Sequence, residues 1–447
     1  MSSKIFNVNI NKKIESFNKT IEVDSDKSIS IRSLIISSIS QNISSIKNIL
    51  ESEDVFSTIN CLQKLGVKII KKKKLYYVYG KGLGSLIAKK NTELNFGNSG
   101  TLARLLIGIL STNPNINLNL TGDHSLKKRS MEKIISLMTK FGAVFQPNKK
   151  IHFPLKIISS EMPMGIEYHA GVSAQLKSAV ILAGLNSYGI TKIIEKSKSR
   201  DHTEKMIMQN KKALNILKGQ KKVITVKGKS ELKSLKINVP GDPSSAAFFC
   251  ALTILKKNCS IKINNVGLNP TRVGFYKILK KHGANIKMKN IKKVNNELCG
   301  DIYVKHSKIK PIKAEKNYYV NSTDEYPILF VIAGLTKGIS IFRGIGDLAN
   351  KESNRISEMQ KILKQVGIKS KASNDQLKIF GKDTIEASNK RILVKNLGDH
   401  RICMSSFILA VLTGAKTNIK NFETVNTSSP SFLKIMKNLG ANFEIQK

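Results

Sequence analysis

Cations, carboxylates and one imidazole recur along this chain just ahead of, or inside, the first turn of strongly apolar stretches. Lys27, Ser28 and Arg32 open KSISIRSLIISSI; Asn98, Gly100 and Thr101 open NSGTLARLLIGIL; Ser173 and Gln175 open SAQLKSAVILAGL. Pro243 opens PSSAAFFCALTIL, Asp324 and Glu325 open DEYPILFVIAGL, and Asp399, His400 and Arg401 open DHRICMSSFILAVL. Polar loops add Arg129 in TGDHSLKKRS, Ser199 to His202 in SRDHTEK, and Lys351, Glu352 and Arg355 in NKESNR. Unpaired N–H groups and the macrodipole make a helix start attractive to anions, and Gly97 and Gly100 allow close backbone approach. Lys27, Arg32, Arg129, Arg355 and Arg401, gathered beside such starts, would hold phosphate and carboxylate groups together. Asp324, Glu352 and His400 are the proton-transfer candidates, because acids and bases held among cations can exchange a proton near neutral pH.

Each residue alone also fits a structural role. Asp324 and Ser173 could be plain helix caps, Lys351 and Arg355 an exposed i,i+4 pair, and His400 an interior histidine. Complementary charge at six matching positions is harder to explain by capping. No nucleophile elbow, Walker loop, HExxH or dinucleotide fingerprint is present. The expected reaction therefore runs on positioned charges and acid/base groups, with no metal and no cofactor.

The elements that carry these tips repeat. An amphipathic helix ending near a glycine and feeding a strand is expected six times, at Gly66, Gly142, Gly219, Gly283, Gly367 and Gly440. These recur about every 75 residues, each glycine reading as a left-handed helix C′ residue. The copy at Gly219 is the weakest, since Gln-Lys-Lys intervenes before the strand. A βαβ-type unit of this size cannot bury its own faces, so units must share cores. Val239 to Pro243 falls between the third and fourth units, and its prolines and glycine make a hinge. The N-terminal strand region, left over, is expected to pair with the second half. Two lobes follow: residues 1–25 with 241–447, and residues 26–240, joined near 24–26 and 239–243. Tips aimed at one cleft between the lobes would form a single site.

Composition narrows the class. At 447 residues the chain exceeds one ordinary core, and 41% hydrophobic residues suffice to fill two. The formal charge of +44 would suggest a polyanion partner, but lysines are scattered and their longest run is Lys71 to Lys74. Aromatics are 6%, so the contiguous basic and aromatic stripe of an RNA-binding or RNA-end-processing protein is not expected. Five cysteines without a CxxC pair read as reduced core residues. With no apolar leader and no long apolar window, a cytoplasmic protein without membrane or nucleic-acid partners is expected, acting as a monomer because each lobe can bury its own core.

The GNSGT-x-x-RL and SRDHTE runs, together with KSISIR, VSAQLKSA and LANKESNR, resemble the 5-enolpyruvylshikimate-3-phosphate synthase (3-phosphoshikimate 1-carboxyvinyltransferase) family over essentially the full length. The resemblance implies a two-lobed inside-out α/β barrel of the α/β (α+β) class, with six βαβαββ units, three per lobe. It implies transfer of the enolpyruvyl group of phosphoenolpyruvate to the 5-hydroxyl of 3-phosphoshikimate, in the shikimate pathway to chorismate and the aromatic amino acids. By the same resemblance Lys27 touches both substrates, and Ser28, Arg32, Ser173, Gln175, Ser199, Asp324 and Lys351 hold 3-phosphoshikimate. Gly100, Arg129, Gln175, Arg355 and Arg401 meet phosphoenolpyruvate, Asp324 takes the hydroxyl proton, and Glu352 protonates the enol carbon, with Lys27 and His400 as alternatives. Such a site must hold several negative charges while isolating a cation-like centre from water, which lobe closure would supply.

Three positions depart from the family pattern: Ala349 replaces an arginine, Ser130 a helix-starting proline, and VNTSSPSF lacks a lysine some members carry. The related transferase acting on UDP-N-acetylglucosamine usually places a cysteine in the loop equivalent to Thr121 to Met131, and this loop has none.

Overall fold

A helix with apolar residues on every face can only be stable if it is buried all round, and six such helices organise the fold. In the computed structural model, which describes residues 5–383, 385, 387 and 389–447, they are Lys27–Ser38, Gly100–Thr112, Ala174–Asn186, Pro243–Leu255, Tyr326–Gly334 and His400–Thr413. Asp26, Ser99, Ser173, Asp242 and Asp399 each accept an N–H of the following first turn, which satisfies donors the helix leaves orphaned. At the sixth start Glu325 occupies the cap position without a capping bond. Asp324 is therefore not a plain cap.

Six four-stranded sheets share one topology. In the second, Glu93–Asn95 lies parallel to Asn117–Thr121 with Leu94 opposite Leu120, and Leu155–Ile158 and Val144–Gln146 add an antiparallel hairpin. Helix Gly100–Thr112 makes the crossover between the two parallel strands. Two sheets borrow their first strand from a distant segment. Lys236–Asn238 lies parallel to Ile43–Lys47, and Asn18–Glu22 lies parallel to Ser260–Gly267. Asn7–Ile10 sits between Lys416–Ile419 and Glu444–Gln446, both antiparallel. The class is α/β, built from six βαβαββ units.

The chain divides into two compact units. One comprises residues 1–24, 240–293 and 298–447; the other comprises 25–239 and 294–297. Residues 1–4, where the first of the expected lobes begins, lie outside the described residues. Each unit has its own apolar core. In the 240–447 unit Phe248, Phe249, Phe407, Phe422 and Phe432 form one ring cluster, with Phe407 and Phe432 edge to face at 5.3 Å. In the 25–239 unit helices Gly100–Thr112 and Ala174–Asn186 meet at Gly108, where a Cβ would stand 2.6 Å from the Ala179 carbonyl oxygen. No helix among the described residues is long and apolar enough to cross a membrane.

Five repeat glycines, Gly66, Gly142, Gly283, Gly367 and Gly440, have φ between +81° and +103°, the left-handed turn expected of them. Gly219 is different. Leu214–Lys218 is a strand, paired antiparallel to Lys222–Lys227 across the Gly219 turn, so no helix ends there. The third unit carries its second helix earlier, at His202–Ile207. Alternation in Leu-Asn-Ile-Leu, with Leu214 buried and Leu217 exposed, outweighs the helix signal.

Candidate functional site

In the 25–239 unit three helix starts are tied together by side chains. Lys27, first residue of its helix, places Nζ 3.0 Å from the buried carboxylate of Asp54. Ser28 offers its carbonyl to Arg32 Nη1 at 3.1 Å. Arg32 is buried, and also donates from Nε to Thr203 Oγ1 at 3.0 Å and from Nη2 to Ser178 Oγ at 3.4 Å. Its guanidinium thus joins the first helix to the third and to the His202 helix.

Gly100 begins the second helix, and a Cβ there would stand 2.8 Å from Arg104 Nη1 and 3.2 Å from Arg129 Nη1. A side chain at this start would push the Arg104 guanidinium aside and make that of Arg129 give by a few tenths of an ångström. Arg129 Nη2 donates to Asn98 Oδ1 at 2.7 Å and Ser125 Oγ at 3.1 Å. Arg104 Nη1 donates to the Gly100 carbonyl and, at 3.0 Å, to Gln175 Oε1. Gln175 Nε2 in turn donates to Thr101 Oγ1 at 2.9 Å, so Gln175 and Arg104 bind the second and third helix starts to each other. Ser173 caps the third helix through Leu176 N.

Ser199 lies in the loop that follows strand Ile190–Glu195. Both its N–H and its hydroxyl donate to Glu195 Oε1, at 2.8 and 2.7 Å, and the residue is buried. Its donors are spent inside the protein. Ser130, standing where the family has proline, accepts the Glu132 N–H at 3.2 Å and so opens the next helix by a hydrogen bond.

In the 240–447 unit two of the acid/base candidates, Asp324 and Glu352, converge on one cation. Arg355 is 1% exposed. Its Nε lies 3.0 Å from Asp399 Oδ2, its Nη2 2.7 Å from Glu352 Oε2, and its Nη1 3.8 Å from Asp324 Oδ1. Burial alone would lower the guanidinium pKa, but Asp399, Glu352 and Asp324 together raise it above its ordinary value. The exposed-pair reading of Lys351 and Arg355 fails for this reason. Lys351 instead meets Asp347 Oδ2 at 2.6 Å, an oxygen that also accepts the Tyr319 hydroxyl at 2.8 Å.

Asp399 does three things at once: it caps Arg401 N at 3.0 Å, accepts Ser353 Oγ at 2.9 Å and holds Arg355. His400 is buried with Nδ1 3.5 Å from Thr427 Oγ1. Arg401 is 4% exposed, with its guanidinium carbon 5.9 Å above the Phe248 ring. Its Nε and Nη1 find no hydrogen-bond partner among the described residues. Two buried donors on a permanent cation without a partner are costly unless an anion completes them.

The sequence reading passed over Arg272 and the chemistry of Asp242. Buried Arg272 Nη2 donates to Asp242 Oδ1 at 3.0 Å and to Ser244 Oγ at 2.8 Å, and the Ser244 hydroxyl donates to Glu325. Burial would raise the Asp242 pKa; Arg272 and then Arg401 bring it below its ordinary value. Asp-Pro-Ser-Ser is a helix-capping pattern as well as a hinge, which is the signal that was available.

Three comparisons with known proteins bear on this arrangement. A family model described as EPSP synthase (3-phosphoshikimate 1-carboxyvinyltransferase) matches residues 11–436. A 3-phosphoshikimate 1-carboxyvinyltransferase of Zymomonas mobilis subsp. mobilis is 36% identical over 441 residues, covering 98% of this chain and 97% of the relative. One of Petrotoga mobilis is 38% identical over 435 residues, covering 95% and 98%. A solved EPSP synthase from Acinetobacter baumannii superposes with a TM-score of 0.85 at 32% identity, covering 99% of this chain and all of that one. The enolpyruvyl transferase NikO from Streptomyces tendae, at 12% identity and a TM-score of 0.73, shares the fold.

Proposed function

This chain belongs to the EPSP synthase family and has 3-phosphoshikimate 1-carboxyvinyltransferase activity, and from that premise we propose which of its residues carry each step. One observation supports the assignment above the others. Asp324, Glu352 and Asp399, far apart in sequence, share the guanidinium of Arg355. A base, an acid and an anion-binding cation held as one cluster is the equipment an addition–elimination needs.

In this reading Lys27 lies against both substrates. Ser28, Arg32, Ser173, Gln175, the Ser199 loop and Lys351 surround 3-phosphoshikimate, with Asp324 at its 5-hydroxyl. The Gly100 helix start and Arg129, Gln175, Arg355 and Arg401 hold the phosphate and carboxylate of phosphoenolpyruvate. Glu352 gives a proton to the methylene carbon, which leaves the adjacent carbon cationic. The 5-hydroxyl oxygen attacks that carbon as Asp324 takes its proton, forming a tetrahedral intermediate. Elimination removes the added proton, expels inorganic phosphate and leaves the enolpyruvyl ether. Fixed cations stabilise the phosphate as it departs, without reorganisation. Lys27 and His400 remain the alternative proton donors. No step draws on a metal or cofactor. A cytoplasmic monomer is part of the same proposal: the five cysteines are free and buried, and each unit encloses its own core.

Phosphate release from phosphoenolpyruvate should require 3-phosphoshikimate; release that ignores the second substrate would refute the assignment. Gly100→Ala should raise the KM for phosphoenolpyruvate about tenfold, because the new Cβ displaces Arg129 and Arg104 from the helix start. The melting temperature should stay near wild type, and steady-state kinetics with phosphoenolpyruvate varied would show the change in KM.

A further inference from the structure

A second set of charges lies inside the 25–239 unit, three of its four members buried and Lys222 reaching the surface. Lys177 Nζ is 2.8 Å from both Glu195 Oε1 and Glu204 Oε1, while Lys222 Nζ is 3.1 Å from Glu195 Oε2 and 3.2 Å from Glu204 Oε1. The side chains of Lys177, Glu195 and Glu204 are at most 1% exposed. Two cations balance two carboxylates. The four come from four elements: helix Ala174–Asn186, the last residue of strand Ile190–Glu195, helix His202–Ile207 and the first residue of strand Lys222–Lys227. Burial alone would raise the Glu195 pKa, but Lys177 and Ser199 bring it down to about 2, so it stays ionised in any ordinary buffer.

Buried ion sets are weak stabilisers, since apolar side chains of similar volume do as well, yet removing one member is strongly destabilising. Their worth lies in what they fix in place. Here that is the segment 196–201. Glu195 Oε1 receives the Ser199 N–H and hydroxyl, and Lys177 Nζ lies 3.5 Å from the Ser199 carbonyl. Lys177 N bonds the Ser173 carbonyl at 3.2 Å, one turn from the helix start that carries Ser173 and Gln175.

We propose that Glu195, held by Lys177 and Lys222, is a positioning residue for 3-phosphoshikimate: it locks the Ser199 loop against the Ser173 helix start, so that the substrate meets one preformed surface. The inference rests on the reading that this loop borders 3-phosphoshikimate. Ser199 then serves through the shape of its loop, its own donors being committed to Glu195.

Three variants test it, with the KM of each substrate and hydrogen exchange at the Ser199 amide as readouts. Glu195→Ala should raise the KM for 3-phosphoshikimate about tenfold or more and leave that for phosphoenolpyruvate within about threefold. It should also speed exchange at the Ser199 amide by about a hundredfold. Glu195→Gln keeps an oxygen for both Ser199 bonds, so its melting temperature should fall while its KM values stay near wild type. Should Glu195→Ala not fold, the double variant Glu195→Ala with Lys222→Met keeps the buried charge balanced through the Lys177–Glu204 pair, and the same results are expected of it. Unchanged exchange at Ser199 in the alanine variants would remove the anchor and overturn the proposal. Faster exchange with an unchanged KM would instead take the loop itself out of the substrate site. Equal rises in both KM values, or a glutamine variant as impaired as the alanine one, would also overturn it.

Discussion

Asp324→Asn is expected to lower kcat by about three orders of magnitude, with KM for either substrate changed less than about threefold. Asparagine keeps the size and the hydrogen-bonding carbonyl of the side chain, so what is lost is the ability to accept a proton. In the proposed mechanism that task falls to Asp324. It stands one residue before the cap position of helix Tyr326–Gly334, its side chain is 25% exposed, and Arg355 Nη1 is 3.8 Å away. The helix loses nothing, because Asp324 does not cap it, so the melting temperature should move by no more than a few degrees. Single-turnover measurement of enolpyruvyl transfer separates the chemical step from product release. A kcat within tenfold of wild type would assign the base elsewhere. Glu352→Gln, tested beside it, should also slow transfer, since it removes the proposed donor.

The helix starts were legible in the sequence because capping and burial are local. A polar residue followed by a dozen apolar ones has few other solutions, and Lys27, Gly100 and His400 do open their helices. The repeat made the fold class readable as well, with Gly219 misread because a two-residue alternation was set aside for a six-fold pattern. Ion partners were not legible. Arg355 takes its carboxylates from positions 324, 352 and 399, and Lys177 takes its own from 195 and 204, pairings that exist only after the units fold. A subtler signal was present. The chain holds nine arginines among 75 lysines and arginines. Where any cation will serve at a surface, this composition supplies lysine. Arginine persists where a planar fork with several donors is required. Arg343 and Arg391 are exposed, whereas Arg32, Arg104, Arg129, Arg200, Arg272, Arg355 and Arg401 are not. Reading the arginines alone would have found Arg272, whose place in NPTRVG offers no other hint.

Arg355→Met should cost the fold about 3–5 kcal/mol, a larger loss than any binding role alone would produce. Methionine fills similar volume but leaves Asp324, Glu352 and Asp399 facing one another, with Asp399 fully buried and without the charge that balances it. The deficit should depend on pH with a definite sign. Carboxylates crowded without a cation have folded-state pKa values raised above those of the unfolded chain, so the folded variant binds more protons than the unfolded one as pH falls. Its stability relative to wild type therefore improves on acidification. Thermal or urea unfolding at pH 7.5 and pH 5 should show the gap narrowing at the lower pH. Arg355→Lys should fall between, because one ammonium can neutralise charge but cannot present separate nitrogens to three carboxylates. A gap that is the same at both pH values, or smaller than about 1 kcal/mol at pH 7.5, would mean that the three carboxylates are not held by this guanidinium.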